Sequence, residues 1–140
     1  MTNQEIVAKL WNLCNILRDD GITYHQYVTE LTYILFLKMA KETNAEESIA
    51  SGVTFSEKDK KTEREDKQLL VEYSWDKLAS KTGNELKYYY NKMLKVFGKY
   101  CKGLVKEIYI DAYSNIQSPT NLELIIRTMD KFCLLYTSPS

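Results

Sequence analysis

The feature that most limits what this chain can fold into is its apolar spacing, which recurs at three and four residues with only five glycines and two prolines among 140 residues. An α-helix returns to the same face every 3.6 residues and a strand every second one, so the pattern argues for helices over strands. The chain is predicted to be mainly α, a helical bundle of about five helices. At 44% hydrophobic residues and this length, roughly 68% of the unfolded surface can be buried, enough for one core without disulfides or metal.

Asn3 is a good N-cap residue ahead of a stripe made by Ile6, Leu10, Leu13 and Leu17, with Trp11 and Cys14 beside it. The stripe ends at Asp19-Asp20-Gly21, a three-residue turn. Thr23 and Gln26 have capping-box spacing, and a second helix follows to about residue 41, with Tyr24, Val28, Leu31, Leu35 and Met39 as its expected apolar stripe. The bundle thus opens with an αα-hairpin.

Between residues 42 and 68 the periodicity fades, and residues 57–68 carry ten charges in twelve positions, five of each sign. That balance leaves little net field, so the stretch is predicted to be an exposed, charged linker or loop, or an exposed helical segment. Periodicity resumes at Leu69, with a short helix expected over residues 75–80. Thr82 and Glu85 repeat the capping-box spacing and open the longest expected helix, about residues 84–106, which Gly98 and Gly103 kink or divide. Residues 104–113 fit a continuing helix or a short strand rich in Ile108, Tyr109 and Ile110, with helix favoured. Ser118-Pro119-Thr120 is a start signal for a last helix lined by Leu122, Ile125, Ile126 and Met129. The domain is placed at residues 1–131. Residues 132–140 continue no earlier pattern and read as a truncated or frameshifted end.

Nineteen basic and nineteen acidic side chains give a formal charge of zero, which excludes a surface that is basic all over but not a local basic face. Cys14, Cys101 and Cys133 are odd in number and far apart, which speaks against a disulfide framework or zinc site and for a reducing, cytoplasmic setting. No signal peptide or membrane span is read, because the N-terminus lacks a basic region and Lys38 interrupts the apolar run from Leu31 to Ala40.

The most informative charge pattern lies on the long helix. Leu86, Tyr90, Met93, Phe97, Tyr100 and Leu104 fall on one face, and Lys92, Lys95, Lys99, Lys102 and Lys106 fall almost opposite, with Tyr88 among them. A basic stripe inside a neutral protein suits contact with a phosphate backbone, although lysines also favour the solvent face of any amphipathic helix. If all five lysines met phosphate, the logarithmic salt slope of binding would change by about −4.5.

His25 has no histidine or cysteine near it in sequence, and neither a metal site nor a nucleophile with a neighbouring base is indicated. Cys14 and Cys101 fit core positions. The tyrosines are expected to bury rings while keeping hydroxyls at the surface. Glycines 21, 52, 83, 98 and 103 are isolated, so no Gly-x-Gly turn exists to cradle a phosphate or dinucleotide. The chain is predicted inactive on its own.

The run from Ile6 to Leu31, including Leu10-Trp11 and Asp20-Gly21-Ile22-Thr23, resembles the start of the modification subunit of type I restriction-modification systems, and Leu35-Phe36-Leu37-Lys38-Met39 continues it. The resemblance extends through Asp111-Ala112-Tyr113-Ser114 and Ser118-Pro119-Thr120-Asn121-Leu122 to about Lys131. It implies a helical N-terminal domain of an adenine-specific DNA methyltransferase subunit that uses S-adenosylmethionine. The implied partners are double-stranded DNA, a specificity subunit, a second modification subunit and the restriction subunit. The family's cofactor loop and Asn-Pro-Pro-aromatic motif lie downstream and are absent here, so no catalytic, cofactor or metal residue carries over. What the resemblance leaves is a non-catalytic domain that clasps DNA and packs against the specificity subunit while the enzyme flips a base. The alternative is a free-standing helical module that binds protein.

Overall fold

The computed structural model describes residues 2–53 and 61–132. Among them are seven α-helices and no strand: α1 (Asn3–Asp19), α2 (Tyr24–Glu42), α3 (Lys61–Glu72), α4 (Trp75–Ala79), α5 (Gly83–Tyr100), α6 (Gly103–Tyr109) and α7 (Pro119–Lys131). A 3-10 turn, Glu46–Ala50, follows α2. The fold class is as expected, with two more helices than the five read from the sequence.

Local signals position most of these ends. At the start of α2 the Thr23 hydroxyl accepts from the Gln26 amide at 3.1 Å, and the Gln26 side chain accepts from the Thr23 amide at 3.0 Å, which closes the capping box. Ser118 caps α7 through the Asn121 amide, with Pro119 in its first turn. Thr2, rather than Asn3, caps α1 by accepting from the Glu5 amide at 3.1 Å. The expected box at Thr82 and Glu85 does not close: Thr82 makes no side-chain cap, and Glu85 pairs with Lys81 Nζ at 3.0 Å instead.

The long helix is shorter than its pattern suggested. Cys101 and Lys102 are extended and Gly103 has φ +65°, so α5 stops at Tyr100 and α6 begins a new direction. α6 then folds back along α5. Gly98 permits this, because a Cβ there would collide with the Tyr109 carbonyl oxygen. Residues 110–118 are irregular rather than helical.

The core gathers Trp75, Tyr90, Phe97, Tyr109, Leu122 and Met129, none of them exposed. α7 buries Leu122, Ile125, Ile126 and Met129, as expected. α2 does not bury the stripe assigned to it. Tyr24, Val28 and Met39 are exposed, and Leu31 and Leu35 are only partly covered, while Tyr27, Ile34, Leu37 and Ala40 face the core. Two polar residues on that inner face are tolerated because they are hydrogen-bonded. Glu30 accepts from the Tyr90 hydroxyl at 3.1 Å and from the Asn115 amide at 2.6 Å. Lys38 donates to the Asp130 carbonyl at 3.1 Å. Several tyrosine hydroxyls also turn inward rather than to solvent: Tyr27 donates to the Leu10 carbonyl and Tyr109 to the Tyr33 carbonyl.

The charged stretch between residues 42 and 68 is not all linker. The 3-10 turn buries Ile49, and α3 begins at Lys61 and buries Asp66, Leu69 and Leu70. The proposed truncated end falls almost entirely outside the described residues, apart from Phe132, which is buried.

Candidate nucleic-acid interface

α3 packs chiefly against α5, and between them runs an open groove of about 650 Å³. Glu65 and Asp66 form one wall, and Tyr88, Lys92, Lys95 and Lys99 the other. Four of the six residues singled out for DNA contact therefore share one surface. Lys102 and Lys106 do not line it, because the helix that was to carry them ends at Tyr100.

The environments of the lysines differ. Lys95, Lys99 and Lys102 are exposed. Lys99 Nζ lies 5.1 Å from the Tyr100 ring centre, a contact that leaves its charge in water. Lys92 Nζ is 3.5 Å from Glu65 Oε2, which cancels part of its field. Lys106 is half-buried and donates to the Gly98 carbonyl, so its ammonium closes the α5–α6 junction. Tyr88 is 69% exposed and presents its ring at the groove.

The acidic wall was invisible to the helix pattern. The Tyr100 hydroxyl donates to Asp66 Oδ2 at 2.9 Å, and burial followed by this carboxylate pushes the Tyr100 phenol up to about 12. Asn84, Lys87 and Asn91 also line the groove and were missed: Asn84 shares the stripe's face but carries no charge, and Asn91 and Lys87 lie toward its edge. Lys87 Nζ donates to the Gln117 carbonyl at 2.8 Å.

A second surface lies on the opening hairpin. Val7, Trp11, Tyr24 and Val28 are exposed around a small apolar groove floored by Leu10 and Leu31, and Trp11 stacks on Tyr24 with ring centres 6.1 Å apart. His25 is exposed beside it, and no group of three or more His, Cys, Asp or Glu able to hold a metal occurs among the described residues. The isolated glycines and the helix-only architecture supply no strand–glycine loop–helix unit that fits S-adenosylmethionine among the described residues. No described helix is long and apolar enough to cross a membrane.

The chain matches the HsdM N-terminal domain family over residues 6–129. It is 37% identical over 131 residues to the methylase subunit of the type I restriction enzyme EcoKI from Escherichia coli (strain K12), covering 93% of this chain and 21% of that protein. The StySPI methylase subunit from Salmonella potsdam is 35% identical over 130 residues, with 93% and 21% covered. The crystal structure of the EcoKI M protein superposes with a TM-score of 0.70 at 35% identity, over 96% of this chain and 24% of that one. The chain thus spans about a fifth of the length of the curated relatives it matches. Sequence and fold agree: the chain belongs to the HsdM N-terminal domain family, the helical N-terminal domain of type I restriction-modification methylase subunits.

Proposed function

We propose that this domain is the non-catalytic clasp of an adenine-specific DNA methyltransferase subunit, holding duplex DNA by its phosphates while chemistry is performed elsewhere in the protein. The observation that carries this reading is the exposure of Lys95, Lys99 and Lys102, with Tyr88 beside the first two, on a protein of zero formal charge. Phosphate contact needs mobile, hydrated cations rather than a shaped pocket, and it contributes affinity without sequence preference. Base recognition then belongs to the specificity subunit, and S-adenosylmethionine to the catalytic part of the methylase.

Reversing Lys95, Lys99 and Lys102 to Glu tests the clasp. Binding of the chain to a 20-base-pair duplex at low salt should weaken at least tenfold, equally for unrelated sequences. Unchanged binding, or no binding by the unaltered chain, removes the assignment.

The apolar hairpin groove supports the second half of the reading, assembly with the specificity subunit. Trp11 and Tyr24 are the residue types that anchor protein interfaces, and they stand exposed together. The same groove is what favours the alternative of a protein-binding module that never touches DNA. Trp11→Ser should reduce capture of the specificity subunit while leaving duplex binding intact; loss of neither contradicts the assembly role.

A further inference from the structure

The groove between α3 and α5 sets carboxylates against the very lysines a phosphate would seek. We propose that Glu65 is an internal competitor for phosphate: it occupies Lys92 in the free domain and must give way when DNA arrives. The proposal rests on the clasp reading and adds its regulation. Three observations carry it. Glu65 Oε2 lies 3.5 Å from Lys92 Nζ, across the groove that also holds Lys95 and Lys99. The pair is only partly shielded, with 51% of the Glu65 and 24% of the Lys92 side chain exposed, so an incoming anion can reach the ammonium. Finally, the helix turn that carries Glu65 is held at the groove, because the neighbouring Asp66 is buried and takes the Tyr100 hydroxyl at 2.9 Å, fastening this turn of α3 to the end of α5, while the exposed Glu65 side chain can swing away.

A surface ion pair of this kind is weak, which is what a competitor requires. A duplex presents a row of phosphates and can displace Glu65, whereas a single stray anion gains little over the carboxylate already in place. The exchange is balanced: Lys92 keeps one anionic partner throughout, and the Glu65 carboxylate returns to water with its own counterion. The domain is thereby tuned to extended polyanions, and its idle affinity is held down.

The test is a double-mutant cycle on the full chain, read as the dissociation constant for a 20-base-pair duplex at low salt. Glu65→Gln should tighten binding by about two- to fivefold, the range open to an exposed pair. The gain should vanish in a Lys92→Gln background. Glu72→Gln makes the same charge change at the far end of α3, where Glu72 pairs with Lys77, and should leave binding unaltered. A gain that persists without Lys92, or that Glu72→Gln reproduces, overturns the competitor in favour of a general charge effect. No gain from Glu65→Gln overturns it outright. Charge reversal at Lys95 and Lys99 in the same assay separates the two readings: if it weakens binding while Glu65→Gln does nothing, the clasp stands and the competitor falls, and if it has no effect both fall.

Discussion

Replacing Gly98 by Ala isolates the packing on which the second half of the domain depends. Gly98 lies inside α5, where alanine is the better helix former by about 1 kcal/mol, so local preference alone predicts stabilisation. The tertiary structure predicts the opposite. A Cβ at this position would collide with the Tyr109 carbonyl oxygen and lie 3.0 Å from its carbon and 3.4 Å from Ile110 Cα, all backbone atoms that cannot rotate aside. Relief requires α6 to move. Tyr109 is fully buried, its ring centre 5.4 Å from Phe97, 5.6 Å from Tyr33 and 5.9 Å from Phe36, and its hydroxyl donates to the Tyr33 carbonyl at 2.8 Å. Overpacking a core costs about 1–3 kcal/mol, and stretching the buried hydroxyl bond adds about 1 kcal/mol. After the helix gain is subtracted, a net loss of roughly 1–3 kcal/mol remains. For a chain of this length that is a fall in Tm of roughly 3–9 °C. Thermal unfolding followed by circular dichroism reads it directly. A Gly98→Ala chain that melts at or above the unaltered one would show that α5 and α6 do not approach this closely.

Two further outcomes follow from buried ionisable groups. Burial raises Glu30 above the usual carboxylate range, against the opposing pull of Asn115, Ser114 and Tyr90, so the folded chain holds that proton more tightly than the unfolded one. The corresponding stability is complete below the unfolded carboxylate's pKa of about 4.3 and is lost as pH rises through the raised folded value. Urea midpoints measured against pH should therefore lose this step in Glu30→Gln, and parallel curves for the two chains would contradict the assignment. Burial pushes the Cys101 thiol up to about 11, so iodoacetamide at pH 8 should label it slowly in the folded chain and quickly in urea, as followed by peptide mass; equal rates would place Cys101 at the surface.

What could be read from the sequence was what neighbouring residues decide among themselves. The Thr23–Gln26 box, the Ser118-Pro119 start and the α7 face are set within one or two turns of chain, and each appears where its residues put it. The inner face of α2 was misplaced for a physical reason. Apolar side chains occur on both sides of this helix, and the buried side includes Glu30 and Lys38, whose partners come from residues 90, 115 and 130. Periodicity cannot see a hydrogen bond made 60 to 92 positions away. The groove was half legible for the same reason. Tyr88, Lys92, Lys95 and Lys99 follow from a helical wheel, whereas Glu65 and Asp66 belong to a mixed-charge stretch that looks featureless until α3 is laid against α5.

Counting phosphate contacts by salt dependence tests the clasp most directly. Five stripe lysines would give a slope of about −4.5 in log affinity against log salt. Lys106 is committed to the Gly98 carbonyl, and Lys92, which exchanges Glu65 for phosphate while that carboxylate takes up a cation, adds little net ion release, which leaves Lys95, Lys99 and, beyond the groove, Lys102. Two to three contacts correspond to a slope of about −1.8 to −2.7, the same for duplexes of unrelated sequence. A slope near zero, or one that changes with the bases, would contradict a clasp built on phosphate contacts.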